Sequence, residues 1–594
     1  ICYYKFYLKF IIHIMFSTDD IGKEFLLPIE LNLSKHEIDK STKIDLELTQ
    51  TQDVSGLYSY VFNPTTKFGE IVMDKYSNNY TNDTEFIKDT QNSLIDFSFN
   101  LSTKDKSDEL LLLWSELKND SSFLEKYQYI DIEFFKFLNN NSKFLQFLSI
   151  FNLASPVLSL VFPIIMLIIP FFLIKFNDSR VTFSEYFRFL KIVVMRNSIG
   201  NLIFNFGSVT FDKKIYLCLS AGLYLFQIYQ NIVACRRFYL NIRKIHEHLF
   251  LFRDHVINTI TNIDNHLLIT DKYNSYSDFN LILKNNKIVL TEFLEKIQKI
   301  TPYKMDTKKL SNIGYLMKCY YLLFDDERYN KSLLFSFGFS GYTEIISNLQ
   351  VNINNRVVNK CEISNENINK PCKFTNAYYP PLIKSNSEIV KNTYSLKKNK
   401  IITGPNASGK TTLLKTTLFN IILSQQIGFG FYDKAFINPY DLLHCYLNIP
   451  DTSGRDSLFQ AESRRCKDIL EILENNKTKR HFCIFDELYS GTNPYEAVSG
   501  AYGYLDYLSK YKNFNFILTT HYVELCNKLN DSKCIENNHM VIDILDEKEN
   551  NKLNTEFVYT YKLDSGISKI KGGTKVFKDL KYPEEIINIM IKNL

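Results

Sequence analysis

Tryptophan is nearly absent: one residue in 594, against 48 Phe and 38 Tyr. With abundant Asn, Lys and Ile, that skew reads as the codon drift of an AT-rich genome and carries no mechanism. An excess of one charge is also absent. Lys and Arg number 70 and Asp and Glu 65, a formal net charge of +5. The chain is therefore no polycation, and any nucleic-acid face must be a local patch. The eleven cysteines are scattered singly, with no Cys-x-x-Cys and no Cys/His set at zinc spacing. This excludes a zinc module and a disulfide scaffold and fits a reducing compartment. Hydrophobic residues at 45% and charged residues at 23% exclude wholesale disorder. At about 150 residues per domain the length allows about four domains.

Residues 1–142 are mixed and polar and carry no catalytic motif. Strand-like pieces at Gly56–Phe62 and Phe68–Met73 suggest an N-terminal α+β region of unassigned role. The apolar run Phe6–Phe16 is shorter than a bilayer span. The first methionine is Met15, and whether the frame starts there or continues upstream of Ile1 stays open.

Residues 143–237 hold two uncharged stretches. Phe144–Ile174 contains the run VLSLVFPIIMLIIPFFLI, and Ile215–Cys235 is closed by Arg236 and Arg237. At about 1.5 Å per residue each is long enough to cross a hydrocarbon core of about 30 Å, and membrane helices tolerate Pro163 and Pro170. A membrane hairpin (144–174 and 215–235) is the first reading. Two buried helices of a soluble core are the other. Residues 238–350 show helical periodicity, with Ile245, Leu249 and Val256 in one run and Phe293, Ile297 and Ile300 in another. Beyond Val351 short β-type runs begin, and 351–594 is expected to be one α/β domain.

The strongest signal is Gly404-Pro405-Asn406-Ala407-Ser408-Gly409-Lys410-Thr411-Thr412. It is a G-x-x-x-x-G-K-[ST] loop between a β-type run and an apolar helix pattern. Its glycines let backbone N–H groups curl toward phosphates, and the helix that follows aims its positive end at the same point. Lys410 would reach the β- and γ-phosphates, and Thr411 would offer its hydroxyl to Mg²⁺. A second strand, His481–Phe485, ends in Asp486 and Glu487. Asp486 would hold the Mg²⁺ and Glu487 would activate the attacking water. A third, Asn515–Thr519, ends at Thr520-His521, where the histidine can sense the γ-phosphate.

Together these residues resemble the ATPase domain of the MutS family. Thr403-Gly-Pro-Asn406, Asp486-Glu-Leu-Tyr-Ser-Gly-Thr492, Ser457-Leu-Phe-Gln-Ala-Glu462, Thr519-Thr-His-Tyr522 and the lead-in Tyr379-Pro-Pro-Leu382 and Val390-Lys-Asn392 carry the likeness. Tyr561-Lys-Leu-Asp-Ser-Gly566 and Tyr582-Pro-Glu-Glu-Ile586 fit its closing region. It covers about 375–590. The resemblance implies an ABC-class P-loop fold, with ATP and Mg²⁺ as cofactors and ATP hydrolysis as the activity. It implies a homodimer paired head to tail, Ser457 reaching the partner's γ-phosphate and Tyr561 lying against the adenine. It also implies coupling to DNA, including mismatched duplex, as in DNA mismatch repair, with residues 238–350 as a shortened helical lever. An intracellular, membrane-associated protein with its ATPase domain facing the cytosol is expected.

Three departures stand out. Tyr489-Ser490 replaces the usual Gly-Arg, and Gly454-Arg455-Asp456-Ser457 is one residue longer than the usual Gly-Arg-Ser. Phe-x-Glu occurs at Phe68, Phe123 and Phe293, scattered and outside any mismatch-reading context. The alternative is a membrane-tethered ATPase acting on a protein or the bilayer without mismatch recognition. A transporter half is disfavoured by the missing Leu-Ser-Gly-Gly-Gln signature.

Overall fold

The segments expected as strands near the N-terminus are helices. Leu57–Phe62 follows Gly56, and Lys67–Lys75 is capped by Thr66, whose hydroxyl accepts from the Gly69 N–H. Their buried residues, Leu57, Tyr58, Val61 and Phe62, then Phe68, Val72 and Met73, recur at the spacing of one helix face. Runs this short fit both periods, and for the second one the Thr66 cap decides between them. Among the described residues of this region the β content is one antiparallel pair, β1 (Lys35–Glu37) and β2 (Asn79–Thr81).

The computed structural model describes the chain except residues 1–18, 50–54, 98, 100–105, 177–181, 197–209, 303–310, 365–369, 385–387, 448, 450–456, 545–556, 569–575, 579 and 594. The expectations for Phe6–Phe16, Met15 and Gly454–Asp456 lie outside the described residues. The chain divides into two compact units. One comprises Asp108–Ile257 and Ile288–Leu333. The other comprises Thr18–Ser107, Asn258–Lys287 and Leu334–Leu594.

In the first unit the single tryptophan, Trp114, is buried with Phe123, Tyr127, Tyr320 and Leu323. The Phe123 and Phe324 rings stack at 4.4 Å. The apolar stretch 144–174 lies in one helix, Ser142–Phe176, which runs through both prolines. Its first turns pack on helix Ile313–Asp325 at Gly314, whose N–H donates to Gln146 Oε1 at 2.8 Å. A Cβ there would sit 2.2 Å from the Ser142 carbonyl oxygen. The stretch 215–235 lies in helix Phe211–Thr270, which continues without a break through the expected boundary at 237. The two helices are antiparallel neighbours: Cys235 Sγ lies 3.4 Å from the Leu153 carbonyl oxygen, and the Tyr224 hydroxyl donates to the Ser159 carbonyl at 3.0 Å. Only 11% and 6% of their most apolar windows is buried.

In the second unit, six strands form one sheet. Their order is β13 (Phe557–Ser565), β12 (Ile535–Ile544), β6 (Asn399–Thr403), β11 (Phe514–Thr520), β10 (His481–Asp486) and β9 (Leu442–Tyr446). All neighbours are parallel except β12 and β13. A second sheet has the order β5 (Asn392–Ser395), β4 (Lys373–Ala377), β8 (Lys434–Ile437), β3 (Asn359–Ile363), β7 (Phe429–Gly430). The helix Lys410–Ile427 is buried continuously from Leu413, apart from Lys415, and its polar residues are buried with it. They are satisfied by the N-terminal segment. Gln426 Nε2 donates to the Tyr76 and Asn79 carbonyls at 2.6 and 2.7 Å, and its Oε1 accepts from the Tyr58 hydroxyl at 2.8 Å. Gln425 Nε2 donates to Thr81 and Tyr440 carbonyls. Residues 18–107 thus belong to the folded body that holds the phosphate loop.

Removing the Gln426 amide would take a donor from the buried Asn79 carbonyl and leave the Tyr58 hydroxyl and the Tyr76 carbonyl with only each other, at 3.2 Å. Gln426→Ala is expected to cost about 2–4 kcal/mol, read as a lower denaturant midpoint. A second expectation concerns acid. His266 is fully buried, stacked on Phe97 at 4.8 Å and edge-on to Phe279 and Tyr342, and burial pulls its pKa down to about 3. Burial, with His481 close by, does the same to His444, also to about 3. Below the unfolded value of 6.5 the unfolded chain takes up protons that the folded one refuses. Stability should therefore fall as pH drops from about 6.5 toward 3, by about 2 kcal/mol per histidine between pH 7 and 5. His266→Phe is expected to flatten that dependence in thermal midpoints measured across pH.

Candidate functional site

Parallel pairing brings three strand ends to one edge. Thr403 of β6 sits opposite Thr520 of β11, and Thr519 of β11 opposite Asp486 of β10. The phosphate loop leaves β6 at Gly404 and enters its helix at Lys410. Ala407 (φ 63°) and Gly409 (φ 93°) are left-handed, which turns successive N–H groups toward a common point. A Cβ on Gly409 would also stand 3.1 Å from the Tyr561 ring. The Ser408 hydroxyl is buried and has no hydrogen-bond partner among the described residues, so the loop keeps a polar group in reserve.

Lys410 is 5% exposed. Its ammonium donates to the carbonyls of Gly404 and Pro405 at 3.0 and 3.2 Å and lies 3.2 Å from His521 Nε2. Burial lowers its pKa, and Glu487 and Asp486 oppose that shift. The Thr411 hydroxyl donates to Asp486 Oδ2 at 2.8 Å, and the Thr519 hydroxyl donates to Asp486 Oδ1. A hydroxyl paired with a carboxylate beside a phosphate cradle is the oxygen donor set that Mg²⁺ takes together with nucleotide phosphates. Glu487 Oε1 contacts His521 Nε2 at 2.9 Å. That hydrogen bond, with Lys410 nearby, holds its carboxyl below the usual range.

Beside the loop lies a cavity of about 670 Å³. Asn406, Ala407, Gly409, Lys410, Thr411, Thr412 and Glu487 line one part, and Tyr379, Val390, Met540 and Tyr561 another. Tyr561 is left-handed (φ 57°), and Asn392 fixes it by donating to its carbonyl at 3.0 Å and accepting from the Leu563 N–H at 2.8 Å. The cavity therefore joins a polar cradle to a lining of aromatic and apolar side chains among which Glu388, Asn392 and Thr560 also stand, a combination that suits a nucleotide.

The loop residues, Asp486, Glu487, His521 and Tyr561 are thus brought together. Ser457 is not among the residues lining this cavity. It is the N-cap of helix Leu458–Asn475, exposed, accepting from the Gln460 N–H. Thr519, Asn392 and Met540 were missed as site residues. Thr519 stands two residues before His521 on the same strand end, a signal that was available. Met540 comes from β12, whose place beside β6 is a matter of pairing alone.

Residues 400–593 match the family model of MutS domain V. The DNA mismatch repair protein MutS of Persephonella marina is 28% identical over 214 residues, 35% of this chain and 23% of that protein. The DNA mismatch repair protein MutS of Bacteroides thetaiotaomicron is 30% identical over 200 residues, 33% of this chain and 22% of that protein. MutS protein homolog 4 of Homo sapiens is 30% identical over 216 residues, 35% and 22% respectively. The match thus spans less than a quarter of these relatives' length. Over its C-terminal third the chain is similar to MutS domain V, an ABC-like ATPase domain, and is related to the MutS family through it.

Proposed function

We propose that this chain binds and hydrolyses ATP with Mg²⁺ and works as a dimer whose nucleotide cycle is coupled to DNA. The observation that carries the catalytic part is the convergence of Lys410, the Thr411–Asp486 pair and the Glu487–His521 pair at the mouth of one cavity. Lys410 would exchange the two loop carbonyls for β- and γ-phosphate oxygens. Ser408 and the loop N–H groups would complete the cradle, and Tyr561 would face the adenine. Thr411 and Asp486 would hold the Mg²⁺, which supplies charge neutralisation between the phosphates. Glu487, kept ionised by its neighbours, would orient and deprotonate the attacking water, and His521 would hold Glu487 and report the γ-phosphate. Ser457 would serve the partner's site in a head-to-tail dimer, a role its exposed position on a helix N-cap leaves open to it. The DNA ligand, mismatched duplex included, rests on the relatives' names in mismatch repair.

A second reading adds a bilayer, and one observation favours it. Two neighbouring helices expose apolar side chains at matched height. In Ser142–Phe176 the first turns are packed, with Leu145 and Ser149 buried, whereas Val157, Leu160 and Phe162 are more than half exposed. In the other helix Leu219, Leu223 and Phe226 are likewise exposed. Leu153 sits beside Cys235, next to Arg236 and Arg237. From that level residues 153–174 and 215–235 each extend about 32 Å, the thickness of a hydrocarbon core. A soluble core would bury these faces. The protein would then be an intracellular ATPase tethered to a membrane, its nucleotide site on the cytosolic side where ATP is found.

Lys410→Ala and Glu487→Gln are each expected to lower ATP turnover about 100-fold or more, with ATP binding retained only in Glu487→Gln. Parent-like turnover in both would refute the site. Turnover measured with no DNA, homoduplex and mismatched duplex is expected to rise or fall with DNA; three equal rates would remove DNA from the reading. Full-length protein is expected to stay in the membrane pellet after an alkaline carbonate wash, and its full recovery in the supernatant would exclude the tether.

A further inference from the structure

Glu462 is a carboxylate with 2% exposure on helix Leu458–Asn475, five residues beyond Ser457. Among the described residues its hydrogen bonds run to one place, the loop that follows Glu487. Its Oε1 accepts from the Ser490 N–H at 3.0 Å and the Ser490 hydroxyl at 2.9 Å, and its Oε2 accepts from the Gly491 N–H at 3.2 Å. That loop is held against its own preference. Glu487 (φ 50°) and Tyr489 (φ 59°) are both left-handed without being glycine, a conformation that persists only where the surroundings impose it. The helix also grips the loop sterically. The Phe459 ring packs edge-on to Tyr489 at 5.7 Å, and a Cβ on Gly491 would meet Leu458 Cγ at 2.7 Å.

We propose that Glu462 is a positioning residue for Glu487, fixing the turn from which that carboxylate reaches His521 and the water it prepares. This rests on the ATPase reading above. Charge-assisted bonds to two successive N–H groups fix a backbone more firmly than neutral ones. The same helix carries Ser457 at its start, so any shift of that end is passed through Glu462 to the turn bearing Glu487. The serine at position 490 matters to this arrangement, because its hydroxyl gives the carboxylate a third donor. Glu462 is not among the residues lining the cavity, so its effect should fall on turnover and leave nucleotide binding alone.

The test measures ATP turnover and the binding of a fluorescent ATP analogue on full-length parent, Glu462→Ala, Glu462→Gln and Ser490→Ala, with Glu487→Gln for comparison. A displaced catalytic carboxylate costs on the order of 10- to 100-fold. Glu462→Ala is expected to lose that much in kcat, with analogue affinity within about twofold of the parent. Glu462→Gln keeps an oxygen for Ser490 but turns an N–H₂ toward Gly491, so it should fall between Ala and the parent; Ser490→Ala, which removes one bond of three, should fall closer to the parent. Parent-like kcat in a folded Glu462→Ala, or a loss of affinity as large as the loss of kcat, overturns the proposal. If Glu462→Ala does not fold, unchanged kcat in both Glu462→Gln and Ser490→Ala overturns it. A parent whose turnover ignores Glu487→Gln would instead defeat the ATPase reading itself.

Discussion

The second unit is organised by the burial of one helix. Lys410–Ile427 lies buried among the sheets and the N-terminal segment, yet its interior is rich in polar groups: Thr416, Thr417, Asn420, Ser424, Gln425 and Gln426. Each must find a partner away from water. Thr416, Thr417 and Asn420 return to the helix's own carbonyls. The two glutamines reach outward, to Tyr58, Tyr76, Asn79, Thr81 and Tyr440. Those bonds tie distant stretches of chain to the helix that begins at the phosphate loop. Gln91 completes the tie at the other end, donating to the Gly428 carbonyl where the helix stops. The orientation of the loop is therefore set partly by residues more than 300 positions away in the sequence.

At the loop itself, charge is held by charge. The Lys410 ammonium, His521 and Glu487 form a chain of contacts, while Asp486 is occupied by two hydroxyls. In a half-buried setting such a chain keeps each ion near a partner and so limits the cost of removing it from water. The donors that now face loop carbonyls are the ones phosphates would recruit. The cavity is also lined by Tyr379, Val390, Met540 and Tyr561, with Glu388, Asn392 and Thr560 among them. One cavity thus joins a region suited to anions with a region suited to a flat ring.

The first unit obeys a different balance. Its aromatic core around Trp114, Phe123 and Tyr320 is buried in the ordinary way. Its two longest apolar faces are turned outward. In water that surface would be a heavy liability. The bilayer of the second reading proposed above would cover that surface.

The phosphate loop, Asp486, Glu487 and His521 were legible in the sequence because their chemistry is local. A glycine-rich turn between a strand and a helix, or a carboxylate pair at the end of an apolar run, signals itself within ten residues. The uncharged lengths of 144–174 and 215–235 were legible for the same reason, and helices do occupy them. The short helices at 57–62 and 67–75 were not, since runs of six and nine residues fit either period, and only the second has a side-chain cap, Thr66, to mark its start. The place of Tyr58, Tyr76, Asn79 and Thr81 beside the phosphate-loop helix, the convergence of Thr519 and Met540 on the site, and the hold of Glu462 on the turn after Glu487 were decided by the tertiary structure alone. Each depends on which strands pair and which faces pack. Those choices are made by burying polar and apolar groups from separated stretches together, a condition that no single stretch can express.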